Sequence, residues 1–178
     1  MKKVLFIDRD GTLIQEPEDE QIDSFEKLDF LPGVLTELRA IQEQTDFELV
    51  MVTNQDGLGT ASFPEDTFWP VHKLMLRVLE SEGIQFDAIH IDTHFPADKH
   101  PNRKPGTGML TDYLTGDYDL SNSFVLGDRV SDCELANNLG CRCFLFGEHP
   151  TMPAQAISVQ TWKEIRQFLL QQPGRGRV

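Results

Sequence analysis

Val4-Leu5-Phe6-Ile7-Asp8-Arg9-Asp10-Gly11-Thr12 is the stretch on which the fold turns. Four consecutive apolar residues rich in strand formers read as a strand buried on both faces, as in a parallel sheet covered by helices. The run stops at two carboxylates two residues apart, followed by a glycine that permits a tight turn. Outward from it the pattern alternates. Val34, Leu35, Leu38 and Ile41 recur at helical spacing after Pro32, and Leu49 to Val52 is a second strand. A helix capped by Asp66 carries Val71, Leu74, Met75, Val78 and Leu79 on one face and closes at Gly83. Ile89 to Ile91 is a third strand. A short helix is expected over 108–114, a strand over 124–126, a helix capped by Ser131 and ending at Gly140, and a strand over 143–146. A last helix carries Trp162, Ile165, Phe168 and Leu169. The expected fold is α/β, a Rossmann-like, mainly parallel sheet flanked by helices.

A chain of 178 residues suits one domain, and its formal net charge of -13 argues against nucleic acid or an anionic membrane surface as partner. Any anionic ligand needs local cations. The N-terminal apolar run is too short for a signal segment or a membrane span, so a cytoplasmic location is expected. Cys133, Cys141 and Cys143 are expected to be reduced and buried. Two segments stand outside the alternation. Residues 15–31, dense in acid, are either a small flap or a solvated loop. The tail 171–178 has linker composition.

Asp8, Thr53 and Asp128 each lie just past a strand, and a parallel sheet gathers such positions at one edge, where ligands bind. A carboxylate there can attack phosphorus while a second protonates the leaving oxygen, roles that Asp8 and Asp10 fit. Phosphoryl transfer also demands charge stabilisation, which Asp8, Asp10 and Asp128 supply through an all-oxygen Mg²⁺ site. Thr53 and Asn54 offer polar groups, and Arg103 and Lys104 offer cations for a phosphate.

These residues together carry a resemblance. Asp8-x-Asp10-Gly11-Thr12, the strand ending in Thr53-Asn54, Lys104 and Gly127-Asp128-x-x-x-Asp132 resemble the four motifs of haloacid-dehalogenase-like phosphatases. The resemblance spans about residues 1–150. It implies Asp8 as nucleophile, Asp10 as general acid then base, Thr53 and Lys104 as phosphate binders, and Mg²⁺ on Asp8, Asp128 and the Asp10 carbonyl, with Asp132 behind them. It also implies a phosphatase domain over 1–170 with a minimal cap.

Within that superfamily, Asp8-Arg9-Asp10-Gly11-Thr12, Thr53-Asn54-Gln55 and Arg103-Lys104-Pro105 look like the branch of histidinol-phosphate and heptose bisphosphate phosphatases. The stretch from Asn54 to Pro64, with Glu16-Pro17 and Phe25-x-Lys27-Leu28, is closer to the former. The substrate so implied is a small phosphate monoester, L-histidinol phosphate. Glu16 is the first candidate for its ammonium. In many bacteria this domain is fused ahead of imidazoleglycerol-phosphate dehydratase, a fusion that would account for the tail. The branch typically carries a zinc loop, but the aligned positions in 92–105 are Asp92, His94, His100 and Asn102, so Zn²⁺ is not expected. A phospho-acceptor signalling module is the non-enzymatic alternative. It would lack a carboxylate two residues after the acceptor.

Overall fold

The computed structural model describes residues 1–171. Six strands form one sheet: β1 (Lys3–Ile7), β2 (Phe47–Asn54), β3 (Ala88–Asp92), β4 (Phe124–Gly127), β5 (Arg142–Phe146) and β6 (Ala156–Val159). Their order is β3-β2-β1-β4-β5-β6, and each neighbouring pair is parallel. The helices are α1 (Val34–Gln44), α2 (Glu65–Ser81), α3 (Val130–Leu139) and α4 (Trp162–Gln171). Strand order reverses at β1, which pairs with β2 on one side and β4 on the other. A crevice therefore opens beyond the carboxyl ends of these three strands.

Val4 to Ile7 are fully buried, as a strand covered on both faces requires. Alternate residues feed two cores. Leu5 and Ile7 pack with α1, α2 and α4, whereas Val4 and Phe6 pack with α3. Trp162 Nε1 donates to the Thr12 carbonyl at 2.9 Å, tying α4 to the turn after β1. No helix among the described residues is long and apolar enough to cross a membrane.

Several sequence expectations need correction. The edge strand β6 was not anticipated, and its burial is only partial until Val159. Ser131 does not cap α3. The cap is Arg129, whose backbone N–H donates to Asp132 Oδ2 at 3.1 Å, so the third helical residue supplies the carboxylate. Likewise Pro64 precedes α2, with Glu65 and Asp66 both in its first turn. Cys133 and Cys143 are not reduced. α3 folds back on β5 with their Cα atoms 5.2 Å apart, and the two are joined by a disulfide; Cys141 keeps a buried thiol. Spacing alone does not reveal this, because it depends on how the helix lies over the next strand.

Residues 15–31 fold over the crevice rather than trailing into solvent. The Gln15 N–H donates to the Asp29 carbonyl and the Leu31 N–H to the Leu13 carbonyl, closing the segment at its base. Ile22 is buried in the main core. The acidic surface of the flap is partly self-paired, with the Lys27 ammonium 2.6 Å from Asp19 and 2.8 Å from Asp23. The expected tail lies outside the described residues apart from Gln171, the last residue of α4.

Candidate active site

The turn after β1 is built to bring oxygen atoms together. The Gly11 N–H donates to the Ile14 carbonyl, and Gly11 itself has φ +73°. A Cβ at Gly11 would stand 2.2 Å from Asp128 Oδ2, so only glycine lets the turn pass the carboxylate beyond β4. Asp8, Asp128 and Asp132 thereby bring carboxylate oxygens within 4.8 Å of one another.

Lys104 is the central cation. Its ammonium lies 2.8 Å from Asp8 Oδ1 and 2.8 Å from Asp132 Oδ1, with 4% of the residue exposed. Burial by itself would lower this ammonium, but Asp132 and Asp8 outweigh it and hold it above its ordinary value. Asn54 fixes where Lys104 stands. Its Oδ1 accepts from the Lys104 N–H at 3.0 Å and its Nδ2 donates to the Lys104 carbonyl at 3.3 Å. The Asn54 amide, expected to meet substrate, thus holds the lysine backbone while its residue also lines the cavity.

Asp10 is gripped at both oxygens. Arg9 Nη1 donates to Oδ1 at 2.6 Å and Gln55 Nε2 donates to Oδ2 at 2.6 Å. Burial pushes the Asp10 carboxyl up, with Arg9 opposing, which suits a group that must carry a proton before it gives one away. Gln55 Nε2 also donates to Thr53 Oγ1 at 2.9 Å. Because that oxygen is already accepting, the hydroxyl hydrogen of Thr53 is free to turn toward an anion.

The grip of Arg9 and Gln55 on Asp10 was not anticipated from the sequence. For Gln55 a signal existed: two residues beyond Thr53 at a strand end, it falls on the same face. Arg9 offered none, since full burial of an arginine is rarely legible in sequence.

Asp128 carries the mark of a cation site. Its Oδ1 is buried with no hydrogen-bond partner, and burial raises its pKa to about 7, with Asp8 and Asp132 adding to the rise. An unsatisfied buried carboxylate beside other carboxylate oxygens fits a hard divalent ion such as Mg²⁺. Asp132 stands behind this set, both of its oxygens being taken, by Lys104 and by the Arg129 N–H.

The zinc-loop positions also cluster, but in a different pose. Asp92, His94 and His100 bring donor atoms within 4.8 Å of one another. However, the two imidazoles are stacked with centroids 3.6 Å apart and planes 5° apart. A metal shared by two imidazoles must lie near both ring planes, and parallel stacked planes have no common point. Asp92 is bound to the backbone and ring of His94, and the Asn102 N–H donates to His100 Nδ1. These residues do not fit a tetrahedral zinc.

Around the floor two compartments open. The inner one, about 40 Å³, is lined by Asp8, Asp10, Lys104 and Ser131 together with Glu16, Asn54, Arg103 and Arg129. The outer one, about 190 Å³, shares Asp10, Glu16 and both arginines with it. Glu16 reaches the site from the flap, where its Oε1 accepts from Arg129 Nη2 at 2.7 Å. Arg103 lies 2.7 Å from Asp56 Oδ2 and 3.2 Å from Asp56 Oδ1. Of the residues nominated from the sequence, Asp8, Asp10, Glu16, Asn54, Arg103 and Lys104 line these compartments. Thr53 and Asp128 lie behind them, Thr53 against Gln55 and Asp128 beside Asp8.

Residues 3–140 match the family model described as polynucleotide kinase 3 phosphatase. The chain belongs to that family. It is 53% identical over 186 residues to the histidine biosynthesis bifunctional protein HisB of Spirosoma linguale, covering 95% of this chain and 49% of that protein. The protein of the same name from Bacteroides fragilis is 51% identical, covering 99% of this chain and 50% of the relative. The chain thus spans about half the length of these curated relatives. Among solved structures, the D,D-heptose 1,7-bisphosphate phosphatase of B. bronchiseptica, complexed with magnesium and phosphate, superposes with a TM-score of 0.82 at 29% identity, covering 96% of this chain and 99% of that one. A HAD-like phosphatase from Mesorhizobium loti shares the fold with a TM-score of 0.81 at 24% identity, covering 99% and 88%.

Proposed function

We propose that this member of the phosphatase family hydrolyses L-histidinol phosphate to L-histidinol and inorganic phosphate. What carries the reading is identity above 50% across nearly the whole chain to bifunctional histidine-biosynthesis proteins. The geometry supports the reaction type: a nucleophilic carboxylate, a gripped acid and a buried ammonium on one small polar compartment. A fused C-terminal dehydratase in the full-length protein belongs to the same proposal.

Mg²⁺ held by Asp8, Asp128 and the Asp10 carbonyl would neutralise charge on the phosphoryl oxygens. Asp8 attacks phosphorus through a carboxylate oxygen while Lys104 offsets the charge of the equatorial oxygens. Asp10 passes its proton to the leaving alkoxide, and histidinol departs. Ionised Asp10 then takes a proton from water, which attacks the phosphorus of the Asp8 acyl phosphate, and phosphate leaves with Asp8 restored. Thr53, its oxygen engaged by Gln55, donates to a phosphoryl oxygen. Glu16 and the acidic flap receive the ammonium end of the substrate.

Asp10, two residues beyond the acceptor, argues against a signalling module that must keep its phosphoryl group. The family's name mentions polynucleotides, but a net charge of -13 and a carboxylate-rich outer compartment repel a phosphate backbone. The B. bronchiseptica structure favours one rival substrate, heptose bisphosphate. A phosphate-release assay with Mg²⁺, comparing histidinol phosphate, heptose bisphosphate and simple sugar phosphates, tests the reading. A kcat/KM highest for histidinol phosphate supports it, and a preference for the heptose overturns it.

A further inference from the structure

The outer compartment contains an apolar side chain that nothing in the chemistry of phosphoryl transfer requires. Of the large hydrophobic residues exposed among the described residues, Phe95 is the one that lines this cavity, and 43% of it is exposed. Exposing a phenyl ring beside a polar cavity forgoes burial that could otherwise stabilise the fold.

The ring is nevertheless held in place. The Phe95 N–H donates to Asp98 Oδ2 at 2.8 Å, and the Asp98 N–H returns to the Phe95 carbonyl at 3.0 Å, locking the backbone in a short 3₁₀ turn. On its inner side the ring rests against Gly57. A Cβ there would stand 2.5 Å from Phe95 Cζ, and Gly57 has φ +75°, so both space and backbone demand glycine. The backbone of Gly57 is itself pinned, its N–H donating to the Thr93 carbonyl at 3.0 Å. The phenyl is thus a fixed wall, and its exposed remainder meets a cavity lined by five carboxylates, including Glu16, Glu20 and Asp56, against two guanidiniums.

A flat aromatic surface under an excess of negative charge selects a flat ring able to carry positive charge. We propose that Phe95 is the stacking platform for the imidazole of the leaving group, and that it sets the enzyme's preference for phosphate esters of aromatic amino alcohols over those of sugars. This rests on the histidinol-phosphate reading and adds a specificity-determining residue to it. The division of labour is spatial: the inner compartment takes the phosphoryl group and the outer takes the ring.

The test compares histidinol phosphate with 2-aminopropyl phosphate, which keeps the ammonium and lacks the ring. In wild type, kcat/KM is expected to favour histidinol phosphate. Phe95→Ala and the better-packing Phe95→Leu should each lower the ratio of the two kcat/KM values about tenfold. Phe95→Trp should restore it. An unchanged ratio in both Phe95→Ala and Phe95→Leu overturns the platform while the histidinol-phosphate reading stands, as does an equal loss on both substrates. A wild-type enzyme that does not distinguish the two esters overturns both.

Discussion

The floor of the site and its roof carry the same kinds of charge under different conditions. On the floor, Asp8, Asp10 and Thr53 at strand ends and Lys104 in the loop that follows β3 are buried, and each is fixed by named partners. On the roof, Glu16, Glu20 and Arg129 come from the flap and the start of α3, and they pair with one another while partly exposed. Burial makes the floor's electrostatics strong and its geometry costly to change. Half-solvated pairs are worth little to stability and can exchange one partner for a ligand at small cost. The floor is therefore suited to the chemical step and the roof to choosing what is cleaved.

Substitutions on the two regions should fail differently. Asp10→Asn keeps the shape of the floor but cannot deliver a proton, so kcat is expected to fall by about 10²–10⁴ with KM nearly constant. A KM effect alone would place Asp10 with the roof. Glu16→Gln should do the reverse, raising KM for histidinol phosphate about tenfold with a much smaller change in kcat. An unchanged KM in steady-state assays would remove Glu16 from the substrate contacts.

The floor also predicts a pH effect on stability. Burial raises Asp128 to about 7 from an ordinary 3.8, so the folded, metal-free protein holds a proton that the unfolded chain releases. That contribution is complete below about pH 4 and is lost as pH rises through about 7. Thermal melts in a chelator should show Tm falling by a few degrees across this window, with a flatter profile in Asp128→Asn. Melts of equal slope would mean that Asp128 is not the group responsible. The smallest effect is expected at the 92–105 loop: a zinc-selective chelator should leave activity and melting temperature unchanged. Stoichiometric zinc in the purified protein, with loss of activity on its removal, would contradict the stacked arrangement of His94 and His100.

The floor was legible in the sequence because its signals are local. An apolar run that ends at a carboxylate places that carboxylate at a strand's carboxyl end, and three such endings suffice to define one edge of a parallel sheet. The roof's acids were legible but their pairings were not, because these contacts join distant positions. Glu16 meets Arg129 across 113 residues, and Asp56 meets Arg103 across 47. No periodicity encodes such pairs. Strand β6 escaped for a different reason. Ala156-Ile157-Ser158-Val159 is short, follows a loop containing Pro153, and lies at the sheet edge, where one side lacks a partner to impose burial. The Cys133–Cys143 bond and the grip of Arg9 on Asp10 likewise depend on packing rather than on spacing.

The most direct test asks whether Asp8 becomes phosphorylated. Rapid acid quench of wild-type enzyme with ³²P-labelled histidinol phosphate and Mg²⁺ should trap a labelled protein whose modified peptide contains Asp8, and Asp8→Asn should give neither label nor turnover. Phosphate release at the wild-type rate by Asp8→Asn would contradict the account.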